Sequence, residues 1–180
     1  MSAALVLLLL AADGDVASRV QAKLVQREVL TGTFEQSKQV KGFKRPFRSS
    51  GTYEVKKGAG VKWNTAAPFA SQLTVTADEI RSMQGSEQLF ALDAKTEPTV
   101  KVITQLLFSL LAGDFAVLSQ HFDARGAVEG EGWSIELVPK AGPLTRAFTR
   151  ISLKGDAFVR SVTLHEESGD VTLISLAPAP

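Results

Sequence analysis

Hydrophobic and polar positions fall into three regimes along the chain. Ala3 to Ala12 is a continuous apolar run with no polar alternation. At ten residues it is too short to cross a bilayer as a helix. It reads as the h-region of a signal peptide over residues 1–12, followed by one domain over 13–180. The charged n-region that ordinarily precedes such a run is missing apart from the amino terminus, so the true start can lie upstream. Next comes a helical period: Asp13 or Asp15 as cap, then Val16, Val20 and Leu24, widened by Val25 and Val29, with Thr31-Gly32 as the stop. From Thr33 onward the period changes to two. Short stretches rich in Val, Thr and aromatics alternate with Gly, Pro and Asp, as in successive antiparallel strands.

The first set of strands is expected at Ser49 to Val55, Gly60 to Thr65, Gln72 to Thr76 and Glu79 to Met83. Tyr53 and Val55 share one face, as do Val61 and Trp63, while Thr52, Glu54, Lys62 and Asn64 take the other. The meander breaks at Thr96-Glu97-Pro98, a helix start with proline just inside it. Ile103, Leu106, Leu107, Leu110 and Leu111 then mark a strongly apolar helix that Gly113 closes. Strands return at Phe122 to Val128, Trp133 to Val138, Thr149 to Leu153, Phe158 to Leu164 and Val171 to Leu176, with turns at Glu131-Gly132, Lys154-Gly155 and Ser168-Gly169-Asp170. About nine or ten strands and two helices predict an α+β fold: a single strongly curved antiparallel sheet, a half-open barrel, with helices over its concave apolar face. Periodicity alone describes an apolar cavity and a packed core equally, and the packed core is the simpler reading.

Composition removes several classes of function. With 20 Lys and Arg against 19 Asp and Glu, the net charge of +1 gives no field to steer a polyanion, so nucleic acid is not an expected partner. The chain has no cysteine, which excludes disulfides, thiolate metal sites and a cysteine-linked lipid anchor within it. Its two histidines, His121 and His165, lie far apart and lack metal-ligand spacing. Gly58-Ala59-Gly60 opens a strand rather than a helix and is no phosphate loop. Glu129, Glu131 and Glu166-Glu167 sit at turns, where carboxylates are ordinarily solvated. No metal, cofactor or enzymatic chemistry is expected. A denser signal is the basic cluster Lys38, Lys41, Lys44, Arg45 and Arg48, with Phe43 and Phe47 interleaved in a hairpin loop. It is either a solvated loop or a docking patch for anionic headgroups or an acidic surface.

Several ordered motifs then point one way. Phe34-Glu35-Gln36, Ser49-Ser50-Gly51-Thr52-Tyr53, Val61-Lys62-Trp63 and Pro68 resemble the N-terminal half of the outer-membrane lipoprotein carrier family. Leu110-Leu111-Ala112-Gly113-Asp114 is similar to its central segment. Trp133, Ile135, Leu137, Pro139 and Lys140 resemble its W-x-L-x-P-K strand, and Gly169 to Ile174 its closing hairpin. The resemblance implies a periplasmic, monomeric carrier that takes the acyl chains of lipoproteins from an inner-membrane lipoprotein-releasing transporter and hands them to an outer-membrane acceptor. It also implies acyl-chain contacts from Leu24, Phe34, Tyr53, Val55, Val61, Trp63, Leu73, Val75, Leu106, Leu107 and Leu110. Where the family carries Lys-Arg-Pro, its arginine associated with the lid and with release, this chain has Lys56-Lys57-Gly58, which makes Lys57 the expected lid contact. Lysine keeps the charge and loses the guanidinium fork. With that departure, carriage of another lipid or apolar metabolite, or a lipoprotein-sensing binding module, stays open beside the carrier reading.

Overall fold

The computed structural model describes residues 14–97, 100–102, 104–105, 108–109 and 115–180. The signal-peptide expectation, the cap at Asp13 and the apolar side chains Ile103, Leu106, Leu107, Leu110 and Leu111 lie outside the described residues.

Among the described residues eleven strands form one antiparallel sheet: β1 (Val29–Gln39), β2 (Phe47–Lys56), β3 (Gly60–Ala67), β4 (Ser71–Val75), β5 (Glu79–Gln84), β6 (Glu87–Asp93), β7 (Phe122–Glu129), β8 (Gly132–Pro139), β9 (Phe148–Gly155), β10 (Val159–Glu166) and β11 (Val171–Pro178). Their order is β6-β5-β4-β3-β2-β1-β11-β10-β9-β8-β7, so the sheet is open, with mid-chain strands at both edges. The seam is β1 against β11, where Phe34 faces Leu176 across the ladder. Helix α1 (Gly14–Lys23) packs on β7, on β8 and on the short α2 (Phe115–His121). Helical residues at 100–102, 104–105 and 108–109 lie between β6 and α2.

Register explains the core. Leu30, Val55, Val61, Val75, Ile80 and Leu92 are successive ladder partners from β1 to β6, so one pleat position runs apolar across half the sheet. On the other half, Ile174, Val162, Leu153 and Ile135 form the matching row. Val16, Val20, Val100, Phe115 and Leu118 from the helical parts join these side chains in one buried cluster, so helices and sheet share a single core.

The structure departs from the sequence expectations at the end of the first helix, at β6, at the end of β9 and at α2, a short helix not foreseen before Phe122. The first helix stops at Lys23, and Thr31-Gly32 lies inside β1 rather than ending a helix. The Val25 amide donates to the Ala157 carbonyl at 2.9 Å, and Val29 already pairs with Lys56. Sheet pairing overrides a helical period that accidentally continued. Strand β6 was not expected; Leu89 and Phe90 put apolar side chains on both of its faces, which cancels the period-two signal. Lys154-Gly155 is the end of β9 rather than a turn, and a Cβ at Gly155 would collide with the Trp133 indole. That glycine is a seat for a ring.

Candidate functional site

Three aromatic side chains build the wall around the seam. Phe34 and Trp63 stack with centroids 3.9 Å apart, and Tyr53 continues the stack at 6.0 Å from Trp63. Glycines make room for it: a Cβ at Gly51 would press on the Phe34 ring, and one at Gly32 on the Tyr53 ring and hydroxyl. Phe34 and Tyr53 are buried, as are Val55, Val61 and Val75, while Trp63 and Leu73 pack against them half-buried. Leu24 is buried just beyond the end of α1.

Tyr53 is peculiar in this wall. Its hydroxyl is buried and has no hydrogen-bond partner among the described residues. Burial pushes its pKa up, with an opposing pull from Arg160. Leaving a buried hydroxyl unpaired costs roughly 1–3 kcal/mol. Tyr53→Phe is therefore expected to stabilise the protein by about 1 kcal/mol, a rise in Tm of about 2–4 °C for a domain of this size. A thermal melt that falls instead would mean that the hydroxyl has a partner in solution.

Between the sheet residues Leu30 and Val55 and the helical residues lies a cavity of about 510 Å³. Its lining comes from Leu30 and Val55 of the sheet, Lys101, Thr104, Gln105 and Phe108 of the helical residues, Gln21, Val25, Gln26 and Arg27 of α1 and the chain that follows it, and Lys57, Gly58 and Ala77 of the strand-connecting turns. Its size suits a small-molecule ligand, for which pockets run to roughly 300–1,000 Å³. Gln21 ties the parts together: its Oε1 accepts the Phe115 amide at 3.1 Å. The Lys57 amide donates to the Glu28 carbonyl at 2.9 Å, which fixes the β2–β3 turn against the chain leaving α1. Gly58 has φ 71°, a conformation that favours glycine, and lets that turn close at the cavity mouth.

Of the side chains singled out in the sequence, Val55 and Lys57 lie in the cavity lining. Phe34, Tyr53, Val61, Trp63, Leu73 and Val75 belong to the apolar core or pack on it and are not in that lining, and Leu106, Leu107 and Leu110 are outside the described residues. Sequence reading missed Leu30, because the helical period through Val29 concealed the start of β1. It also missed Arg27, Lys101 and Phe108, which carry no local motif.

The opposite end of the sheet carries the basic cluster. Lys41, Lys44 and Arg45 lie in the β1–β2 loop and Arg48 on β2. Phe43 and Phe47 are mostly exposed there, with rings 5.6 Å apart. Phe69, 74% exposed, follows Pro68 in the neighbouring β3–β4 turn, and Arg48 shares a shallow groove with Pro68 and Leu173. Lys38 is set apart from this patch, since its Nζ lies 2.8 Å from Glu166 and 3.5 Å from Asp170. Its hydrogen bond to Glu166 raises its pKa against the opposing effect of burial. His165 sits 3.2 Å from Arg150, and burial followed by that charge pushes its pKa down, partly countered by Glu136. Among the described residues no group of three or more His, Asp or Glu could hold a metal ion. No helix among them is long and apolar enough to cross a membrane.

A single open antiparallel sheet with few helices defines an α+β fold. The sequence profile of the outer membrane lipoprotein carrier protein LolA matches residues 26–178, and the chain belongs to that family. The family is one of periplasmic carrier and binding proteins. Comparison with curated protein sequences finds no match. Among solved structures, the Pseudomonas aeruginosa MucA/MucB complex contains a chain similar in fold, with TM-score 0.50 and 14% identity over 94% of this chain and 58% of that one. A LolA superfamily protein from Nitrosomonas europaea aligns at TM-score 0.49 with 7% identity, over 92% of this chain and 91% of the other. An outer membrane lipoprotein-sorting protein domain from Vibrio parahaemolyticus aligns at 0.44 with 10% identity, over 91% and 89%.

Proposed function

We propose that the chain is a monomeric periplasmic carrier that shelters the acyl chains of lipoproteins between its sheet and its helical cover. It receives them from an inner-membrane lipoprotein-releasing transporter and passes them to an outer-membrane acceptor. The observation that carries this reading is the cavity itself, floored by Leu30 and Val55 and roofed by Phe108, in a chain of the lipoprotein carrier family. The energetic case is simple. Each buried methylene is worth about 0.8 kcal/mol, so a chain of about sixteen carbons costs on the order of 10 kcal/mol to expose to water, and a shuttle has to hide it. Release requires that the empty form be nearly as stable as the loaded one. Lys57, at the cavity mouth, serves as the contact between the sheet and its cover.

The patch of Lys41, Lys44, Arg45 and Arg48 with Phe43, Phe47 and Phe69 is the docking surface in this reading. Cations near an anionic leaflet contribute about 1 kcal/mol each, and exposed aromatics can enter the headgroup region. It stands at the far end of the sheet from the cavity mouth, so docking and loading do not compete for the same residues.

The test is to incubate the purified protein with spheroplasts and examine the soluble fraction by native mass spectrometry. A one-to-one complex with lipoproteins is expected, and the Lys44→Glu/Arg45→Glu variant is expected to yield several-fold less of it. A protein that returns without any apolar guest would sink the carrier reading. One that returns with a lipid or metabolite but no lipoprotein would retain the cavity and replace the cargo.

A further inference from the structure

We propose that the cavity selects an anionic amphiphile, with one acyl chain against Leu30, Val55 and Phe108 and a carboxylate or phosphate headgroup at the mouth beside Arg27, Lys57 and Lys101. The inference rests on the acyl-binding reading above and adds the charge of the cargo.

Charge is distributed unevenly here. Among the described residues, Arg27, Lys57 and Lys101 contribute to the lining and no Asp or Glu does, although cations and carboxylates are nearly equal in number over the chain, at 20 and 19. Three cations on the same half of the sheet are matched, Lys62 3.8 Å from Glu54, Arg81 2.8 Å from Glu79 and Lys95 3.9 Å from Asp78, whereas the patch at the far end of β1 and β2 is not. Lys57 and Lys101 make no ion pair among the described residues. Glu28 and Glu97 come near through their backbones, their carbonyls accepting the amides of Lys57 and Lys101, but neither carboxylate enters the lining or pairs with these lysines. Arg27 is held in place without being neutralised. Its Nη1 donates to the Ala179 carbonyl at 3.2 Å, and its guanidinium lies 5.2 Å from the Phe158 ring centroid.

One hydrogen-bonding group adds to the charge. The Gln21 Oε1 accepts the Phe115 amide, which leaves its NH₂ group to donate, while the Thr104 hydroxyl donates to the Lys101 carbonyl at 2.8 Å and keeps its acceptor lone pairs. The described lining therefore offers three positive charges and the Gln21 amide donor to a ligand. A ligand that brings an acyl chain, acceptor oxygens and a negative charge satisfies it; a neutral ester leaves the three cations to water. Because these cations are exposed, each contact has the strength of a surface ion pair, and three amount to about tenfold in affinity.

The experiment compares cis-parinaric acid with its methyl ester by fluorescence titration near neutral pH, at low and high salt. The acid is expected to bind about tenfold more tightly, the preference shrinking with salt and disappearing in Lys57→Gln/Lys101→Gln, whose far-UV spectrum should match that of the parent. Competition by lysophosphatidylglycerol against lysophosphatidylcholine then separates the sources: stronger displacement by the anionic lipid assigns the site to phospholipid phosphate as well, and displacement by free fatty acid alone restricts it to carboxylates. Equal affinity for acid and ester overturns the charge selection and leaves the acyl cavity standing. Failure of both probes to bind overturns both readings.

Discussion

Phe34→Ala should cost about 3–5 kcal/mol of stability, the range for removing a fully buried aromatic ring. Phe34 is 2% exposed and sits on β1 at the seam, opposite Leu176 on β11. Its ring stacks on Trp63 and covers Gly51, so no neighbouring side chain on β2 can move in to fill the space. Both the transfer free energy and the cavity left behind are lost, and the stacking contact goes with them. Against a typical total of about 5–15 kcal/mol, this is a large fraction. Urea unfolding followed by tryptophan fluorescence gives the shift in midpoint. A loss below about 1 kcal/mol would mean that the seam is not the rigid part of the sheet.

Phe108→Asp should weaken binding of a fluorescent acyl probe by about 100-fold, equivalent to about 2.7 kcal/mol, while leaving the sheet folded. Phe108 lines the cavity from the helical cover and is half-buried against the core, so the substitution costs some packing there but removes no strand-to-strand pairing. In the loaded state its carboxylate would face methylenes instead of water. Desolvating a charge without a partner is what makes the effect large. The comparison with Phe108→Leu isolates it, since leucine keeps the apolar roof and is expected to bind within a few-fold of the parent. If aspartate binds as well as leucine, the acyl chain does not lie under this segment.

The alternating strands were legible because they have one wet and one dry face. Trp133, Ile135 and Leu137 on β8 are buried while Ser134 and Val138 face outward, and the same holds for Tyr53 and Val55 on β2. β6 escaped because an open edge can carry apolar groups on both faces. The end of α1 was misread because a hydrogen bond to Ala157, more than a hundred residues away, decides where the chain turns. The basic cluster was visible as a run, but not the removal of Lys38 by Glu166 and Asp170, which reach it from β10 and the turn before β11. The cavity cations are the extreme case: Arg27, Lys57 and Lys101 come from three separate elements, and only the closed β2–β3 turn and the crossing of the helical residues bring them into one lining.

The seam between β1 and β11 has a kinetic consequence. It joins the earliest and latest strands of the chain, while sequence neighbours β6 and β7 end at opposite edges. Six strands can therefore be synthesised and paired as a meander long before the partner of β1 exists. Until Val171–Pro178 is available, β1 presents an unpaired backbone edge flanked by the buried face of Phe34. Closing that pairing requires contacts between residues nearly a whole chain apart, which is the slowest kind to form. Completion of the fold should thus be a late, all-chain event, and the half-sheet that precedes it the species most exposed to strand addition by another molecule.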